Sequence, residues 1–387
     1  IALFEAAKVL GHPETDVIAA QLSILLRVAT PPVFQEVVPG TERSGVKVYL
    51  SAPTQEVNEG QRSDIAKGLG QADYSYAFAL RGFAAGLAAL EVDHEIISNP
   101  ELISDIRDRS DAKANIHLGF YPPESIRLLK GAYNVNCFAW EFDRLRNAQE
   151  NRTSHAFSDQ AQMLALADEI WMPSRHGVDA VQPAVARPVR HVPSPILGKQ
   201  TKARTRTAAP RELNRLSRTL VDATWRPLAI LPRIQSTMDG MAHGRQSSLH
   251  TLLSPSSGRQ PTVFLSIFNV HDYRKQIAPM IEGFLRVLRS HPDALLLLKV
   301  NSPYRGNESA NAFLMKEQIF NEPNLIPPLI SERVWLTDDV LTRDEMNALF
   351  DVASFYVCTS HAEGQNLPLL EAMERGLVPL SVDRTAM

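Results

Sequence analysis

Short apolar runs alternate with helix-like segments in two separate blocks of the chain, and this alternation restricts the fold more than any other feature. In the first block the runs "VKVYLSAP", "HEIIS", "ANIHLGF", "NVNCFAW" and "DEIWMPS" have the pattern of strands, with helical patterns at 75–90 and in "DQAQMLALA". Strands that alternate with helices predict a parallel sheet covered on both faces. We therefore expect a Rossmann-like α/β domain over residues 46–197.

A second block with the same alternation begins at residue 261. Its strand candidates are "TVFLSIFN", "ALLLLKV", "RVWLTD", "SFYVCTS" and "LVPLSV". The unbroken apolar run "ALLLLKV" is typical of a central strand in a parallel sheet. Thr342 and Glu345 form a capping box before one helix, and Pro368 and Gly376 bracket another. We expect a second α/β domain over 261–387, cut short at its C-terminal end.

The segments outside these blocks have a different character. Residues 1–45 have the pattern of an N-terminal helical extension, and residues 198–260 contain eleven Lys or Arg against three Asp or Glu, an excess of 8 positive charges. The whole chain has a net charge of −3, so the remainder carries −11. We expect 198–260 to be a basic linker or insertion; the alternative is a surface for anionic lipid or a phosphate-bearing substrate.

Composition excludes several classes of protein. A chain of 387 residues favours two domains, and its near-neutral charge gives no reason to expect nucleic acid as a partner. The apolar runs are too short to cross a bilayer, and the first residues lack the features of a signal peptide. We expect a cytoplasmic protein, at the inner face of the membrane if the basic segment binds lipid.

Cys137 and Cys358 lie in apolar runs, which predicts buried free thiols.

Two glutamates eight residues apart, Glu363 and Glu371, flank the start of a predicted helix. The first follows the strand "SFYVCTS", at the sheet edge where ligands bind in open α/β folds. Gly364 permits a close approach to the backbone, and the helix start offers unpaired N–H groups to a phosphate. One carboxylate on each side of a diphosphate suits a nucleoside diphosphate sugar. The alternatives are a solvated loop carboxylate at Glu363 and an exposed helix residue at Glu371.

The stretch "TSHAEGQNLPLLEAMERGLVPLSV" resembles the donor-site signature of retaining GT-B glycosyltransferases of family 4 (group 1), bacterial in type. "FLSIFNVHDYRKQIAPMIEGF" is similar to the first strand, loop and helix of that family's C-terminal domain, and "WLTDDVLTRDEMNALFDVASFYV" resembles its nucleobase segment. A weaker resemblance covers 114–195, in "NVNCFAWEFDRL" and "ALADEIWMPSRHGVDAV". It implies a GT-B fold, with two Rossmann-like domains whose parallel sheets face each other across a cleft.

The resemblance also implies a role for each matching position on the donor side. Glu363 and Lys275 are the catalytic candidates: Glu363 facing the donor sugar and Lys275 neutralising the diphosphate as the anomeric bond breaks. Glu371 is expected to bind the ribose. The other donor-binding candidates are Gly364, Gln365, Asn366 and Leu367 through their N–H groups, Arg274, Asn269, Asp339 and Val340. Adjacent side chains generally diverge, so Asn269 is an alternative to Arg274 as the partner of Lys275.

On the acceptor side, the candidates that follow or lie on N-terminal strands are Trp140, Glu141, Arg144 and His117, with Tyr121 nearby. For His117 a satisfied core histidine is the favoured interpretation over a catalytic one. In the resembling family the departing phosphate accepts the acceptor's proton, so no general base is assigned. Leaving-group departure there needs no metal or other cofactor, and this chain has no Asp-x-Asp triplet.

The sequence therefore predicts a retaining glycosyltransferase that moves a sugar from a nucleoside diphosphate sugar to a glycan, lipid-linked or protein acceptor, in polysaccharide or glycoconjugate synthesis. The alternatives are a sugar-nucleotide epimerase or a glycan phosphorylase on the same fold, although no pyridoxal phosphate lysine context is evident, and a catalytically silent glycan-binding or scaffold protein. No G-x-G-x-x-G follows a predicted strand, which disfavours a nicotinamide dehydrogenase.

Overall fold

Two six-stranded sheets organise the chain: the first lies within the first predicted block, and the second combines five strands of the second block with one strand from the segment 198–260. The computed structural model describes residues 45–53, 72–147, 149–150, 159–196, 220, 225–227, 249–253, 261–270, 272–301 and 333–387. The run "RELNRLSRTLVDATW" (211–225) also has the pattern of a short helix; it and the predicted N-terminal extension lie almost wholly outside these ranges. Of the described helices, none has the length and apolar composition needed to cross a bilayer.

The N-terminal sheet is parallel throughout, with strand order β2-β1-β3-β4-β5-β6. Its strands are β1 (Val46–Ser51), β2 (His94–Ile96), β3 (Ala114–Gly119), β4 (Tyr133–Cys137), β5 (Glu169–Met172) and β6 (Val189–His191). Its helices are α1 (Ala72–Ala89), α2 (Gln160–Leu164) and α3 (Arg175–Val181). Helix α1 packs its apolar side chains on β1, β3 and β4, while α2 and α3 share a second cluster with β5.

The C-terminal sheet has strand order β12-β11-β8-β9-β10-β7 and is parallel except for β7. Its strands are β7 (Arg226–Pro227), β8 (Val263–Asn269), β9 (Leu295–Asn301), β10 (Val334–Thr337), β11 (Phe355–Cys358) and β12 (Val378–Ser381). Its helices are α4 (Ile277–Ser290), α5 (Arg343–Val352) and α6 (Leu367–Glu374). Helix α4 covers one face, and α5 and α6 cover the other. The predicted fold, two Rossmann-like α/β domains with parallel sheets, is confirmed.

Part of the basic segment 198–260 belongs to the C-terminal core. Strand β7 pairs with β10, and four apolar side chains of the segment are buried beside α5 and the sheet: Leu220, Trp225, Leu249 and Leu253. Their burial removes apolar surface from water, which stabilises the attachment of this segment to the sheet. The lipid-surface alternative for the segment falls mainly on residues outside the described ranges and stays a prediction.

Several local predictions are confirmed, and one helix start is corrected. The Thr342–Glu345 capping box forms at α5, Gly376 has a φ of 79° just after α6, and both cysteines are buried free thiols. The run "RKQIAPMIEGFLRVLRSHP" (274–292) predicts a helix that starts at Arg274, but the helix begins instead at Ile277. Gln276, with a φ of 50°, interrupts it after a single 3₁₀ turn over Tyr273–Lys275, because a left-handed residue cannot continue a right-handed helix.

Each sheet reverses its direction of winding at one point. In the C-terminal sheet the chain runs outward through β8, β9 and β10, and then returns to place β11 on the other side of β8. The connections after β8 and β11 therefore lead to helices on opposite faces of the sheet, and open α/β sheets bind ligands in the crevice at such a point.

Candidate functional site

The crevice between β8 and β11 brings together two stretches that lie about 90 residues apart in the chain. Thr359, just after β11, donates its hydroxyl to the carbonyls of Lys275 and Gln276 at 2.8 and 3.1 Å. The His361 N–H donates to the Arg274 carbonyl at 2.7 Å. These bonds hold the two loops together, so the predicted cations and carboxylates share one site.

Asp272 shapes the first loop, and sequence reasoning missed it. Its Oδ1 accepts the Arg274 main-chain N–H at 3.1 Å and the Arg274 Nε at 2.9 Å, and its Oδ2 accepts Nη2 at 2.8 Å. The Nζ of Lys275 lies 3.8 Å from the same Oδ2. An aspartate two residues before a basic pair is the available signal, since aspartate commonly accepts the N–H two positions on.

The expected divergence of Arg274 and Lys275 is wrong. Both side chains converge on Asp272 because the pair lies in a tight 3₁₀ turn followed by a left-handed residue, not in a regular helix. Burial tends to raise the pKa of Asp272, but the hydrogen bonds and charge of Arg274 outweigh it and leave that pKa below its usual value. Burial likewise opposes the charge of Arg274, yet Asp272 and Glu141 raise its pKa above the ordinary arginine value.

Lys275 reaches across the crevice to the first glutamate of the pair. Its ammonium donates a hydrogen bond to Glu363 Oε1, and both side chains are largely buried, with 16% and 11% exposure. The Glu363 main chain is fixed by Thr385 Oγ1, which accepts its N–H at 3.0 Å, and by the Ala386 N–H, which donates to its carbonyl at 3.2 Å. The two predicted catalytic residues are therefore direct neighbours.

Main-chain N–H groups border this ion pair at the start of α6. Within the part of the chain that the structure describes, the N–H groups of Gly364, Gln365, Asn366 and Leu367 donate to no protein acceptor, and Pro368 has none to donate. Asn366 adopts φ 55° and caps the helix, with its Oδ1 accepting the Leu369 N–H at 3.2 Å. Consecutive unpaired N–H groups at a helix start suit an anion.

The corner also touches the N-terminal domain. A Cβ placed on Gly364 would lie 2.9 Å from Ala139 Cβ and 2.9 Å from the Trp140 nitrogen, so only glycine fits there without movement. Glu141 follows Trp140 in that N-terminal loop, and its Oε1 accepts a hydrogen bond from Nη1 of Arg274. The site thus faces the N-terminal domain, as a site between two lobes must.

The remaining donor-side candidates surround this centre. Glu371 lies on α6, and its Oε1 is 3.8 Å from Nη1 of Arg343, which is the first residue of α5. Asn269 ends β8, and its carbonyl accepts the Asp272 N–H at 3.2 Å. Asp339 and Val340 are half-buried in the turn after β10, beside the exposed Asp338. Asn269 thus lies at a strand end, Asp339 and Val340 in a loop, and Glu371 one turn inside a helix, all near the carboxyl edge of the sheet.

The acceptor-side candidates separate into two groups. Trp140 is buried against Phe138 and Phe142, and Glu141 faces the C-terminal domain through Arg274. Arg144 is exposed and forms a two-point ion pair with Glu150 in its own loop. The structure therefore brings Trp140 and Glu141 to the loops after β8 and β11.

His117 lies apart from the crevice and is fully buried. Its Nε2 lies 2.7 Å from Ser51 Oγ, and its Nδ1 lies 2.9 Å from Asn134 Oδ1. Tyr121, also buried, donates its hydroxyl to Ser51 Oγ at 2.9 Å. Both ring nitrogens of His117 are therefore occupied by neighbouring side chains, in an environment without solvent.

A buried lysine at the same sheet edge was also missed. Lys299, on β9, is 3% exposed and donates to the Val300 carbonyl and Asn301 Oδ1, both at 2.9 Å. Burial lowers the pKa of its ammonium to about 8, although Asp338 and Asp339 act in the opposite direction. A lysine inside a run of leucines is the sequence signal, because lysine is rarely buried unless it is paired.

No protein-family model and no curated protein sequence matches this chain. Among solved structures, the α,α-trehalose 6-phosphate synthase of Burkholderia multivorans aligns over 89% of this chain and 85% of its own, with 10% identity and a TM-score of 0.46.

Two further solved structures are similar over a smaller share of their length. The UDP-forming α,α-trehalose-phosphate synthase of Burkholderia vietnamiensis aligns over 82% of this chain and 64% of its own, with 13% identity and a TM-score of 0.42. The pneumococcal O-GlcNAc transferase GtfA, in complex with UDP and GlcNAc, aligns over 70% and 42%, with 12% identity and a TM-score of 0.39. This chain spans less than two thirds of both proteins. Similarities this distant assign it neither a family nor an activity.

Proposed function

We propose that this chain is a retaining glycosyltransferase of the GT-B type that takes its sugar from a nucleoside diphosphate sugar. One observation carries the proposal: Lys275 and Glu363 meet at the crevice between β8 and β11, beside four consecutive N–H groups that lack a protein acceptor among the described residues. Positive charge and N–H dipoles suit the diphosphate, and a carboxylate suits sugar hydroxyls.

The roles of the side chains follow from their positions. Lys275 and the Nη1 edge of Arg274, which faces Glu141, would neutralise the diphosphate as the bond between the anomeric carbon and its oxygen breaks. Preorganised donors of this kind commonly lower a barrier by several kcal/mol. Glu363 would hold donor-sugar hydroxyls, and Glu371, one turn inside α6, would hold those of the ribose. Asp339 and Val340 would border the nucleobase.

The acceptor would be a glycan, a lipid-linked sugar or a protein. It would enter from the side of the N-terminal domain, beside Trp140. Its hydroxyl oxygen attacks the anomeric carbon on the face that the diphosphate leaves, and its proton passes to a departing phosphate oxygen. This route requires no protein base. The cations and N–H groups already oppose the leaving-group charge, so we propose that transfer proceeds without a metal ion or other cofactor.

A panel of UDP-, GDP-, ADP- and TDP-sugars tests the proposal through hydrolysis or transfer. We expect turnover with at least one donor, and a loss on the order of 10²- to 10³-fold in Lys275→Ala, the range seen when one preorganised donor is removed. Glu371→Ala is expected to raise the KM for the donor. The matched controls are Lys47→Ala and Glu282→Ala, which remove ion pairs with Glu95 and Arg286 elsewhere. Equal activity in all four variants would contradict the proposal.

Burial at the corner favours a second candidate function. Glu363 is 8% exposed, and Gly364 is packed against Ala139 and Trp140. If this packing persists in solution, it leaves no room for a donor at this corner. The chain would then bind a glycan without transferring a sugar, as a catalytically silent GT-B scaffold. Binding of glycan by a protein that shows no affinity for any nucleoside diphosphate would select this second function over the first.

A further inference from the structure

Arg274 presents two different edges to two different carboxylates. Asp272 takes the Nε and Nη2 edge within the donor domain, at 2.9 and 2.8 Å. The remaining nitrogen, Nη1, points out of that domain and donates to Glu141. A planar guanidinium with one edge fixed can offer only its other edge to a ligand. The group available to an incoming phosphate is therefore the one that Glu141 holds.

Glu141 belongs to the loop that touches the phosphate-binding corner. It directly follows Trp140, whose nitrogen lies within 2.9 Å of the position that a Cβ on Gly364 would occupy. The carboxylate thus reaches Arg274 from the opposite domain, on the side where Gly364 begins the run of unpaired N–H groups. Side-chain exposures of 35% for Arg274 and 22% for Glu141 leave the pair accessible to exchange.

From this geometry we infer that Glu141 competes with the donor diphosphate for Nη1 of Arg274, while Asp272 is a positioning residue that keeps Arg274 aimed at the site. The inference rests on the proposed function, and it names the counter-ion that a nucleoside diphosphate displaces on binding. Asp272 and Glu141 are both carboxylates bound to the same arginine, yet they have opposite effects on affinity for the ligand.

Isothermal titration of the full chain with UDP, GDP, ADP, TDP and inorganic pyrophosphate tests the inference. We expect Glu141→Gln to lower the Kd of the nucleotide that binds by roughly two- to tenfold, because one partly exposed ion pair no longer has to be broken. Asp272→Asn is expected to raise that Kd, because Arg274 loses its orientation. The control is Glu101→Gln, which removes the same charge from an ion pair with Arg127 inside the N-terminal domain, and its Kd should equal that of the wild type.

The outcomes separate the inference from the proposed function. If the wild type binds a nucleoside diphosphate and Glu141→Gln binds it equally or more weakly, the inference is wrong and the proposed function stands. Equal tightening in all three variants indicates a long-range charge effect and also overturns the inference. If the wild type binds neither nucleotide nor pyrophosphate, both proposals fail. The inference is supported if Glu141→Gln lowers the Kd of the nucleotide and Asp272→Asn raises it. Removal of a carboxylate with a purely structural role would not tighten nucleotide binding.

Discussion

At the scale of single residues, hydrogen-bond geometry sets the protonation state of the buried His117. Asn134 Oδ1 also accepts the Leu129 N–H at 2.7 Å, so this atom is an acceptor and the proton of the neutral ring lies on Nδ1. Ser51 then donates to Nε2, and Tyr121 donates to Ser51. Burial lowers the pKa of His117 to about 4, against 6.5 for an exposed histidine, with the Asn134 contact acting in the opposite direction. The neutral ring of His117, on β3, is thus hydrogen-bonded to Ser51 on β1 and to Asn134 on β4.

This pKa shift predicts how stability depends on pH. The unfolded chain binds a proton at position 117 below pH 6.5 and the folded chain only below about 4, so the free energy of unfolding falls as pH drops through that window. The part due to His117 is at most roughly 3–4 kcal/mol, at about 1.4 kcal/mol per pKa unit. Denaturant unfolding of wild type and His117→Gln from pH 7 to 4 measures it. The variant should be less stable at pH 7 and have a shallower slope; parallel slopes would contradict the assignment.

At the scale of elements, helix starts decide where the side chains of this site point. Helix α5 begins with a complete capping box, a local pattern that sequence alone reveals. Helix α6 begins differently, since its cap Asn366 is left-handed and also donates from Nδ2 to Cys358 Sγ at 3.0 Å. That second bond ties the helix start to the end of β11. This tie helps to position the four N–H groups that have no acceptor among the described residues.

Substitution of Asn366 separates its two contributions to the start of α6. Asn366→Ala is expected to cost roughly 1–2 kcal/mol for the cap, and more for the left-handed backbone that alanine resists. Asn366→Gly should recover part of this loss, because glycine adopts positive φ freely. Urea unfolding of both variants measures the difference. If Asn366→Gly lowers the free energy of unfolding as much as Asn366→Ala does, the left-handed backbone conformation contributes nothing to the loss.

At the scale of the whole molecule, the two domains meet at the loop between β11 and α6. Gly364 allows the N-terminal loop to approach, and the Arg274–Glu141 bond closes the same contact on one side. A single methyl group at position 364 should therefore push the domains apart by several tenths of an ångström. Such a displacement is large for a site whose groups must be held to within about 0.5 Å.

Gly364→Ala tests this contact against a matched glycine. We expect a lower Tm and a turnover reduced by about tenfold or more, because the packed loops must separate. Gly283→Ala, on α4, is the control: apart from the adjacent backbone of α4, no heavy atom of the described residues lies within 4 Å of its added Cβ. Alanine in a helix should leave the protein unchanged or more stable by up to about 1 kcal/mol. Calorimetry and donor turnover measure both. Equal Tm and turnover in the two variants would show that the domain contact is loose.

Repeating local patterns in the sequence were enough to predict the two sheets, most strand positions, the α5 capping box, the glycine after α6 and the loop that places Glu363 before a helix and Glu371 within it. These features depend on side-chain periodicity and on residues a few positions apart. The contacts that shape the site depend on distant segments instead. Asp272 draws Arg274 and Lys275 together, Lys275 reaches Glu363, and Arg274 reaches Glu141 of the other domain. Partners separated by 88 and 133 residues leave no periodic trace, because what brings them together is the order of strands in a sheet and the meeting of two domains.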